Sequence, residues 1–277
     1  MKNKTISFVK LVASGNDFVL LDLRIRKMRL NLKETARQFC NRKLGIGADG
    51  LLVLEKSRKA TVKMRIFNAD GSEAEMCGNG ARCVAYFLKS AKARSRFNIE
   101  TKAGILNAQA NKDNVRINMT EPRNIKLDSV IKLNKYNLRF NFINTGVPHA
   151  VILCEGLEKI NVYSLGRLIR FHNKFKPQGT NVDFIEPDGL DSLKIRTYER
   201  GVEEETLACG TGSVAGAIIY ARKLKNSGLT KKDKFNIDVE TVSGEVLKVS
   251  FEMLRDKIKN VWLEGKARIV HKGVYYA

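Results

Sequence analysis

A chain of 277 residues is long enough for two domains of ordinary size, and its 43% hydrophobic and 29% charged content is typical of a soluble globular protein. The formal net charge of +21 would suit a nucleic-acid partner, but the Lys and Arg residues are spread along the chain without a recognisable binding motif, so we expect no nucleic-acid partner. The sequence has neither a signal-peptide pattern nor an apolar stretch long enough to cross a bilayer. We therefore expect a cytoplasmic protein without a membrane partner.

Strand-like and helix-like patterns alternate along the chain, which predicts an α+β fold. Short runs rich in β-branched and large apolar residues predict strands at residues 18–21, 50–54, 115–119 and 151–153. Amphipathic or apolar patterns with helical spacing predict helices at residues 32–41, 81–88, 164–172 and 213–220. A proline interrupts the pattern within residues 119–123, where we expect one domain to end and the next to begin.

The chain also contains an internal repeat. Five segments of the first half recur in the second half in the same order, and the spacing between copies grows from 131 to 146 residues. Loop insertions into a duplicated domain would produce such growth, whereas recurring strand and turn patterns explain it less well. The repeat predicts two similar domains, residues 1–120 and 121–265, with a cleft between them and a tail, residues 266–277, that returns to the first domain.

The five cysteines indicate reactive thiols rather than disulfides. An odd number argues against a disulfide framework, and the absence of a Cys-x-x-Cys pair and of neighbouring histidines argues against a metal site. Cys77 and Cys209 each precede a Gly-x-Gly turn and a predicted helix, whose N-terminal dipole should lower the thiol pKa and bind a carboxylate. We expect the other three, Cys40, Cys83 and Cys154, to be buried core residues.

Two thiols at equivalent positions of a duplicated fold would face each other across the cleft. Such a pair suits stereoinversion, because one group removes a proton from one face of a carbon and the other delivers a proton to the opposite face. The α-proton of an amino acid is a very weak acid, and helix dipoles aimed at the carboxylate can stabilise the carbanion-like state. The residues therefore indicate an amino-acid epimerase that needs no cofactor.

Long motifs around both cysteines resemble the diaminopimelate epimerase family. Phe67–Cys83 resembles the family's first signature, Tyr198–Gly201 followed by Glu205–Gly212 resembles the second, and Ser14–Phe18 resembles its N-terminal motif. The resemblance implies two α/β domains related by a pseudo-twofold axis, with the active site between them, and a homodimer. It also implies interconversion of LL- and meso-diaminopimelate without pyridoxal phosphate or metal, in the synthesis of lysine and peptidoglycan precursors.

The same resemblance assigns roles to individual residues. It makes Cys77 and Cys209 the acid/base pair, with the first linked to the LL-epimer and the second to the meso epimer, and it makes His149 and Glu199 the groups that tune the thiols. The substrate carries two ammonium and two carboxylate groups, so its contacts should include both donors and acceptors. The implied contacts are Asn16, Asn68, Gly78, Asn79, Asn181, Glu199, Arg200, Gly210 and Thr211.

Two departures from the family pattern affect the expected recognition of the substrate's distal groups. Val147 stands where many relatives have asparagine, and Gly50 stands where many have glutamine. Two alternative functions remain open. A proline or hydroxyproline racemase on the same fold would resemble Met-Cys-Gly-His-Gly, whereas Asn79 stands at the histidine position here. A non-catalytic amino-acid-binding protein would be expected to lack one cysteine, and both are present.

Overall fold

A computed structural model describes residues 5–25, 28–91, 94–133, 136–255 and 257–276. The chain divides into two compact units: unit 1 comprises Met1–Ile117 and Gly265–Ala277, and unit 2 comprises Asn118–Glu264. The first four residues of the predicted first repeat and the last residue of the predicted tail lie outside the described residues. Within the described part of the chain, no helix is long and apolar enough to span a membrane.

Strands and a small number of helices make up both units, as predicted. The strands are β1 (Thr5–Ala13), β2 (Asn16–Asp22), β3 (Gly50–Glu55), β4 (Val62–Asn68), β5 (Glu73–Ala74), β6 (Arg96–Thr101), β7 (Gly104–Asn111), β8 (Asn114–Asn118), β9 (Arg123–Leu133), β10 (Tyr136–Asn144), β11 (Pro148–Leu153), β12 (Asn181–Pro187), β13 (Ser192–Glu199), β14 (Glu204–Thr206), β15 (Lys234–Glu240), β16 (Val246–Leu254), β17 (Lys257–Lys266) and β18 (Arg268–Tyr276). The α-helices are α1 (Leu32–Cys40), α2 (Gly78–Ala91), α3 (Val162–Arg170) and α4 (Gly210–Asn226). Each of these four α-helices of the described residues coincides with a helix predicted from the sequence.

In unit 1, β1 pairs antiparallel with β2, and β2 pairs parallel with β3 after α1 has crossed between them. β3 pairs antiparallel with β4, which pairs antiparallel with the short β5 and parallel with β6. The helix α2 forms the connection between β5 and β6, and the antiparallel β7 and β8 follow. On the other side of β1 lies β18, which pairs with it antiparallel although it is the last strand of the chain.

Unit 2 repeats this arrangement element by element. β10, β11, α3, β12, β13, β14, α4, β15, β16 and β17 follow one another with the pairings and strand directions that unit 1 has from β1 to β8. β9 pairs antiparallel with β10, as β18 does with β1. The duplicated α+β architecture predicted from the sequence is therefore present in the fold.

Asparagine caps and apolar faces explain the two shorter helices. The side chain of Asn31 accepts a hydrogen bond from the backbone N–H of Glu34 at the start of α1, and Asn161 does the same for Ser164 at the start of α3. Each helix then presents one apolar face to the sheet of its own unit. The buried face of α1 includes Phe39, which lies in the hydrophobic core of unit 1.

The three cysteines expected in the core differ in burial. Cys40 at the end of α1 and Cys83 inside α2 are buried, as predicted. Cys154 is only partly buried, so the prediction that it is buried is wrong; it lies directly after the last residue of β11. Burial nevertheless raises the pKa of both Cys40 and Cys154 to about 11, which disfavours the reactive thiolate.

The two units differ in the polarity of the side chains that pack against the N-termini of α2 and α4. In unit 1, a β-carbon added to Gly80 would lie 3.0 Å from a methyl carbon of Leu52 and 3.4 Å from one of Ile66. At the equivalent place in unit 2, a β-carbon added to Gly212 would lie 2.4 Å from a carboxylate oxygen of Asp183. It would also lie 3.2 Å from the Thr197 hydroxyl. Equivalent positions of the repeat are thus apolar in unit 1 and polar in unit 2.

This difference predicts unequal effects of the same substitution. We expect Gly212→Ala to lower the free energy of unfolding by about 1–3 kcal/mol, because the added methyl group displaces a hydrogen-bonded carboxylate. Gly80→Ala should change it by less than about 1 kcal/mol, because the end of the Leu52 side chain can turn aside and alanine favours a helix. Urea unfolding of both variants measures the difference. Equal stabilities would contradict a fixed position for the Asp183 carboxylate.

Candidate functional site

In unit 1, Cys77 occupies the capping position of α2. Its carbonyl accepts the first helical hydrogen bond, from the N–H of Ala81 at 2.9 Å, and its sulfur accepts a hydrogen bond from the N–H of Gly80 at 3.4 Å. The thiol is therefore at the positive end of the helix dipole, where backbone N–H groups lack helical acceptors. Cys77 is partly exposed.

In unit 2, Cys209 occupies the equivalent position as the N-cap of α4. Its carbonyl accepts from the N–H of Ser213 at 2.9 Å, and its sulfur lies 3.4 Å from the hydroxyl oxygen of Thr211. Gly210 and Thr211 form the first turn of the helix, as Gly78 and Asn79 do in α2. The cysteine and the two residues after it thus recur with the same local geometry.

The surroundings of Cys209 are not those expected from the sequence. Only 7% of the residue is exposed, and burial, together with the carboxylates of Glu199 and Asp183, raises the pKa of its thiol well above the usual range. The prediction that the helix N-terminus lowers both thiol pKa values is therefore wrong for Cys209, because desolvation and two carboxylates outweigh the hydrogen bonds from Thr211 and from the backbone N–H of Gly212. Burial also raises the pKa of Glu199.

A directional chain of hydrogen bonds in unit 1 joins two of the predicted substrate contacts. The Arg82 guanidinium donates to Asn79 Oδ1 at 2.6 Å, and Asn79 Nδ2 donates to Asn16 Oδ1 at 2.6 Å. Asn16 Nδ2 then donates to a carboxylate oxygen of Asp49 at 3.1 Å. A cation at one end and a carboxylate at the other fix the orientation of both amides.

Asp49 belongs to a charged cluster that anchors the start of β2. Arg42 donates to the carboxylates of both Asp49 and Asp17, at 2.6 and 2.8 Å. Lys10 forms a further ion pair with Asp17 at 2.7 Å. Burial opposes ionisation of Asp17, but the hydrogen bonds from Arg42 and Lys10 hold its pKa at about 2. Asp17 therefore stays charged, and its ion pairs support the segment that carries Asn16.

The third asparagine of unit 1 is held separately. Asn68 ends β4, is exposed, and its amide donates to the Ser72 hydroxyl at 2.9 Å within the turn that leads to β5. Its equivalent in unit 2 is Glu199, the last residue of β13. One position of the repeat therefore carries a neutral amide in one unit and a partly buried carboxyl group in the other.

A second directional chain lies in unit 2 and joins three predicted site residues. The backbone N–H of Arg200 donates to Asn181 Oδ1 at 2.7 Å, and Asn181 Nδ2 lies 3.4 Å from His149 Nε2. His149 Nδ1 lies 2.7 Å from a carboxylate oxygen of Asp183, whose other oxygen accepts from the Thr197 hydroxyl at 2.8 Å. His149 and Asp183 are completely buried.

Asp183, Thr197 and Arg82 are absent from the set predicted from the sequence. A signal existed for Asp183, since it is an acidic residue between the apolar Val182 and Phe184 of β12. Arg82 is likewise a cation within a strongly apolar helix pattern. Thr197 gave no comparable signal, because threonine is common in strands.

The two departures from the family pattern lie at different places in the two units, Val147 before β11 of unit 2 and Gly50 at the start of β3 of unit 1. Val147 is in the turn before β11, where Thr145 N–H donates to the Val147 carbonyl at 3.1 Å. Gly50 starts β3, and a β-carbon there would lie 3.0 Å from the Phe67 carbonyl oxygen and 3.3 Å from the ring of Phe18. A glutamine at residue 50 would therefore require the Phe18 ring to move.

Within the described ranges, no group of three or more His, Cys, Asp or Glu side chains is arranged to hold a metal ion. Neither cysteine motif forms part of such a group. The candidate residues are instead thiols, amides, carboxyl groups, one imidazole and the N–H groups of two helix termini.

The fully buried Arg82 should be essential for the stability of unit 1. The same terminal nitrogen donates to Ser14 Oγ and Asn79 Oδ1, both at 2.6 Å. We expect Arg82→Met to lower the free energy of unfolding by roughly 2–4 kcal/mol, because it leaves these buried groups without their donor. Arg96→Met, at an exposed position of β6, should change it by less than about 0.5 kcal/mol. Urea denaturation curves that coincide for the two variants would contradict this role.

Comparisons with known proteins agree on one family. The model of the diaminopimelate epimerase family matches residues 8–125 and 141–270. The diaminopimelate epimerase of Aquifex aeolicus strain VF5 is 42% identical over 280 residues, covering 97% of this chain and 97% of that protein. The diaminopimelate epimerase of Hydrogenobaculum sp. strain Y04AAS1 is 40% identical over 279 residues, with 96% of each chain covered.

Solved structures with low sequence identity share the fold. A phenazine biosynthesis protein of the PhzF family from Bacillus anthracis has a TM-score of 0.75 at 19% identity, covering 99% of this chain and 100% of that chain. A hydroxyproline epimerase from Agrobacterium vitis has a TM-score of 0.70 at 16% identity, covering 98% of this chain and 92% of that chain. These matches confirm the predicted fold class.

Proposed function

Since the chain belongs to the diaminopimelate epimerase family, a family of isomerases, we propose that it interconverts LL- and meso-2,6-diaminopimelate by inverting one α-carbon. The observation that carries the proposal is that a cysteine occupies the N-cap position of a helix in both units. A two-base inversion needs one proton acceptor and one proton donor, and a duplicated fold can supply one of each. Cys77 and Cys209 are the proposed pair.

The reaction requires the two thiols to begin in different protonation states. One cysteine must be a thiolate that removes the α-proton, and the other must be a thiol that delivers a proton to the opposite face. The burial and neighbouring carboxylates that raise the pKa of Cys209 support its assignment as the thiol in the resting enzyme. Cys77 is then the base that acts on the LL-epimer, and Cys209 is the base that acts on the meso epimer in the reverse direction.

The α-carboxylate is proposed to bind at the first turns of the two helices. The residues after each cysteine, Gly78-Asn79 and Gly210-Thr211, carry backbone N–H groups at the positive end of a helix dipole. Such donors stabilise the negative charge that develops on the carboxylate as the α-proton leaves. This stabilisation allows thiols to move a proton from a very weak carbon acid.

The remaining site residues are proposed to hold the other charged groups of the substrate and to tune the thiols. The Arg200 guanidinium offers a bidentate partner for a carboxylate, while the amides of Asn16, Asn68 and Asn181 offer both donors and acceptors. Glu199 and His149 are close enough to influence each other electrostatically, and Glu199 in turn raises the pKa of Cys209.

Further parts of the proposal concern the protein's setting. We propose that the reaction needs neither pyridoxal phosphate nor metal, since the thiols and helix termini supply the proton transfer and the charge stabilisation. We propose in addition that the protein is a cytoplasmic homodimer that acts in the synthesis of lysine and peptidoglycan precursors, in keeping with its family.

Substitution of each cysteine tests the proposed pair. We expect Cys77→Ala and Cys209→Ala each to reduce epimerisation of LL-diaminopimelate by about 10³-fold or more, because neither thiol alone can both remove and deliver the proton. Cys154→Ala serves as the matched control, since Cys154 is a partly buried thiol at the end of β11, and it should keep wild-type turnover. Turnover is followed by chiral chromatography of the products, with L-proline as a comparison substrate.

Circular dichroism of each variant separates loss of chemistry from loss of fold. A folded Cys77→Ala or Cys209→Ala protein with wild-type turnover would overturn the two-base proposal. Wild-type protein that epimerises proline but not diaminopimelate would overturn the proposed substrate and leave the thiol chemistry intact.

A further inference from the structure

Asp183 is a completely buried carboxylate that the proposed reaction does not use directly. It lies in β12 with Asn181 on the same strand, and β12 runs parallel to β11, which carries His149. Its two oxygens face different partners, His149 Nδ1 at 2.7 Å and the Thr197 hydroxyl at 2.8 Å. A buried charge is costly unless it is hydrogen-bonded, so this placement requires an explanation.

The hydrogen-bond chain determines which nitrogen of His149 carries the proton. Because Asn181 Oδ1 accepts from the backbone N–H of Arg200, the Asn181 amide nitrogen is the group that faces His149 Nε2, 3.4 Å away. That nitrogen can only donate, so Nε2 must be an unprotonated acceptor. The proton of the neutral imidazole is therefore on Nδ1, and it is donated to Asp183.

The fold makes room for this carboxylate in a specific way. Asp183 lies against the first turn of α4, where any side chain at Gly212 would collide with it, since a β-carbon would be 2.4 Å from its oxygen. The positive end of the helix dipole stabilises an anion at this place. The equivalent positions of unit 1 hold Leu52 and Ile66 beneath Gly80, so the duplicated fold itself does not require a polar group here.

We propose that Asp183 is a positioning residue that fixes His149 in the Nδ1-protonated tautomer, so that the Nε2 lone pair is presented beside Asn181. The proposal rests on the proposed function for its catalytic consequence, since His149 is taken there to tune the thiols. Asp183 acts on the site in a second way, because its negative charge contributes to the raised pKa of Cys209. Unit 2 thereby carries a histidine-carboxylate pair that unit 1 lacks, as Phe18 is the equivalent of His149.

The tautomer can be read directly in the wild-type protein without substrate. The chain has 3 histidines, so proton–nitrogen correlation NMR of the imidazole rings resolves each one, and His172→Gln and His271→Gln assign the remaining signal to His149. We expect the pattern of a neutral ring protonated at Nδ1. A ring protonated at Nε2 would overturn the proposal, whether or not the protein epimerises diaminopimelate.

Two substitutions of Asp183 then separate orientation from charge. In Asp183→Asn the amide oxygen can still accept from His149 Nδ1 while its nitrogen donates to the Thr197 hydroxyl, so the tautomer should persist. In Asp183→Leu, combined with Thr197→Ile to reproduce the apolar pair of unit 1, no acceptor remains for Nδ1. We expect the double variant to lose the Nδ1-protonated pattern and on the order of 100-fold in kcat, with KM changed less than about threefold.

Two results with these variants would contradict the positioning role of Asp183. A folded double variant that keeps the Nδ1-protonated pattern and the wild-type kcat would show that Asp183 does not position His149. Equal kcat losses in Asp183→Asn and the double variant, with the tautomer kept only in the former, would assign the effect to charge and overturn the positioning role. If the double variant does not fold, the wild-type spectrum alone decides.

Discussion

The first turn of a helix leaves backbone N–H groups without helical acceptors. In both units of this protein, a cysteine occupies the N-cap position directly before that turn. The rest of each unit supports this arrangement. In each unit, two strands that form a short hairpin precede the cysteine. Glycines in the first turn of the following helix let side chains of neighbouring strands pack directly against the helix start. The long apolar helix then anchors the turn in the core. One local structure thereby places a cysteine sulfur beside the backbone N–H groups at the start of a helix.

Duplication supplies two copies of that structure, but it does not make them chemically equal. Beneath α2 the supporting side chains are apolar, whereas beneath α4 they include a carboxylate, a hydroxyl and, beside them, an imidazole. Cys209 is also more deeply buried than Cys77 and has carboxylates nearby that raise its pKa. Stereoinversion by two bases needs this inequality, because two thiolates could not deliver a proton and two thiols could not remove one. The two units therefore share a backbone arrangement and differ in the side chains that surround their cysteines.

The features that could be predicted from the sequence are the local and the repeated ones. Glycines after a cysteine, helical spacing of apolar residues and recurring segments gave the four helices, the duplicated α+β fold and the positions of Cys77 and Cys209. The hydrogen bond between His149 and Asp183 could not be derived in this way, because it depends on the parallel pairing of β11 and β12 across the intervening α3. The raised pKa of Cys209 was missed for a related reason, since burial and the approach of Glu199 and Asp183 are tertiary properties. The burial of Cys154 was also predicted wrongly, because its exposure depends on its position after the end of β11 and not on its residue type.

The central claim is that one group removes the α-proton from one face of the carbon and a different group delivers a proton to the opposite face. Its most direct test is the reaction of LL-diaminopimelate in deuterated water, stopped at low conversion, with the isotope content of both epimers measured by NMR and mass spectrometry. The account predicts that every molecule of meso product carries one solvent deuterium at the inverted carbon, while the unreacted LL-epimer keeps its original proton. Meso product that retains the original proton would show that a single group carries the proton from one face to the other, and it would contradict the two-base account.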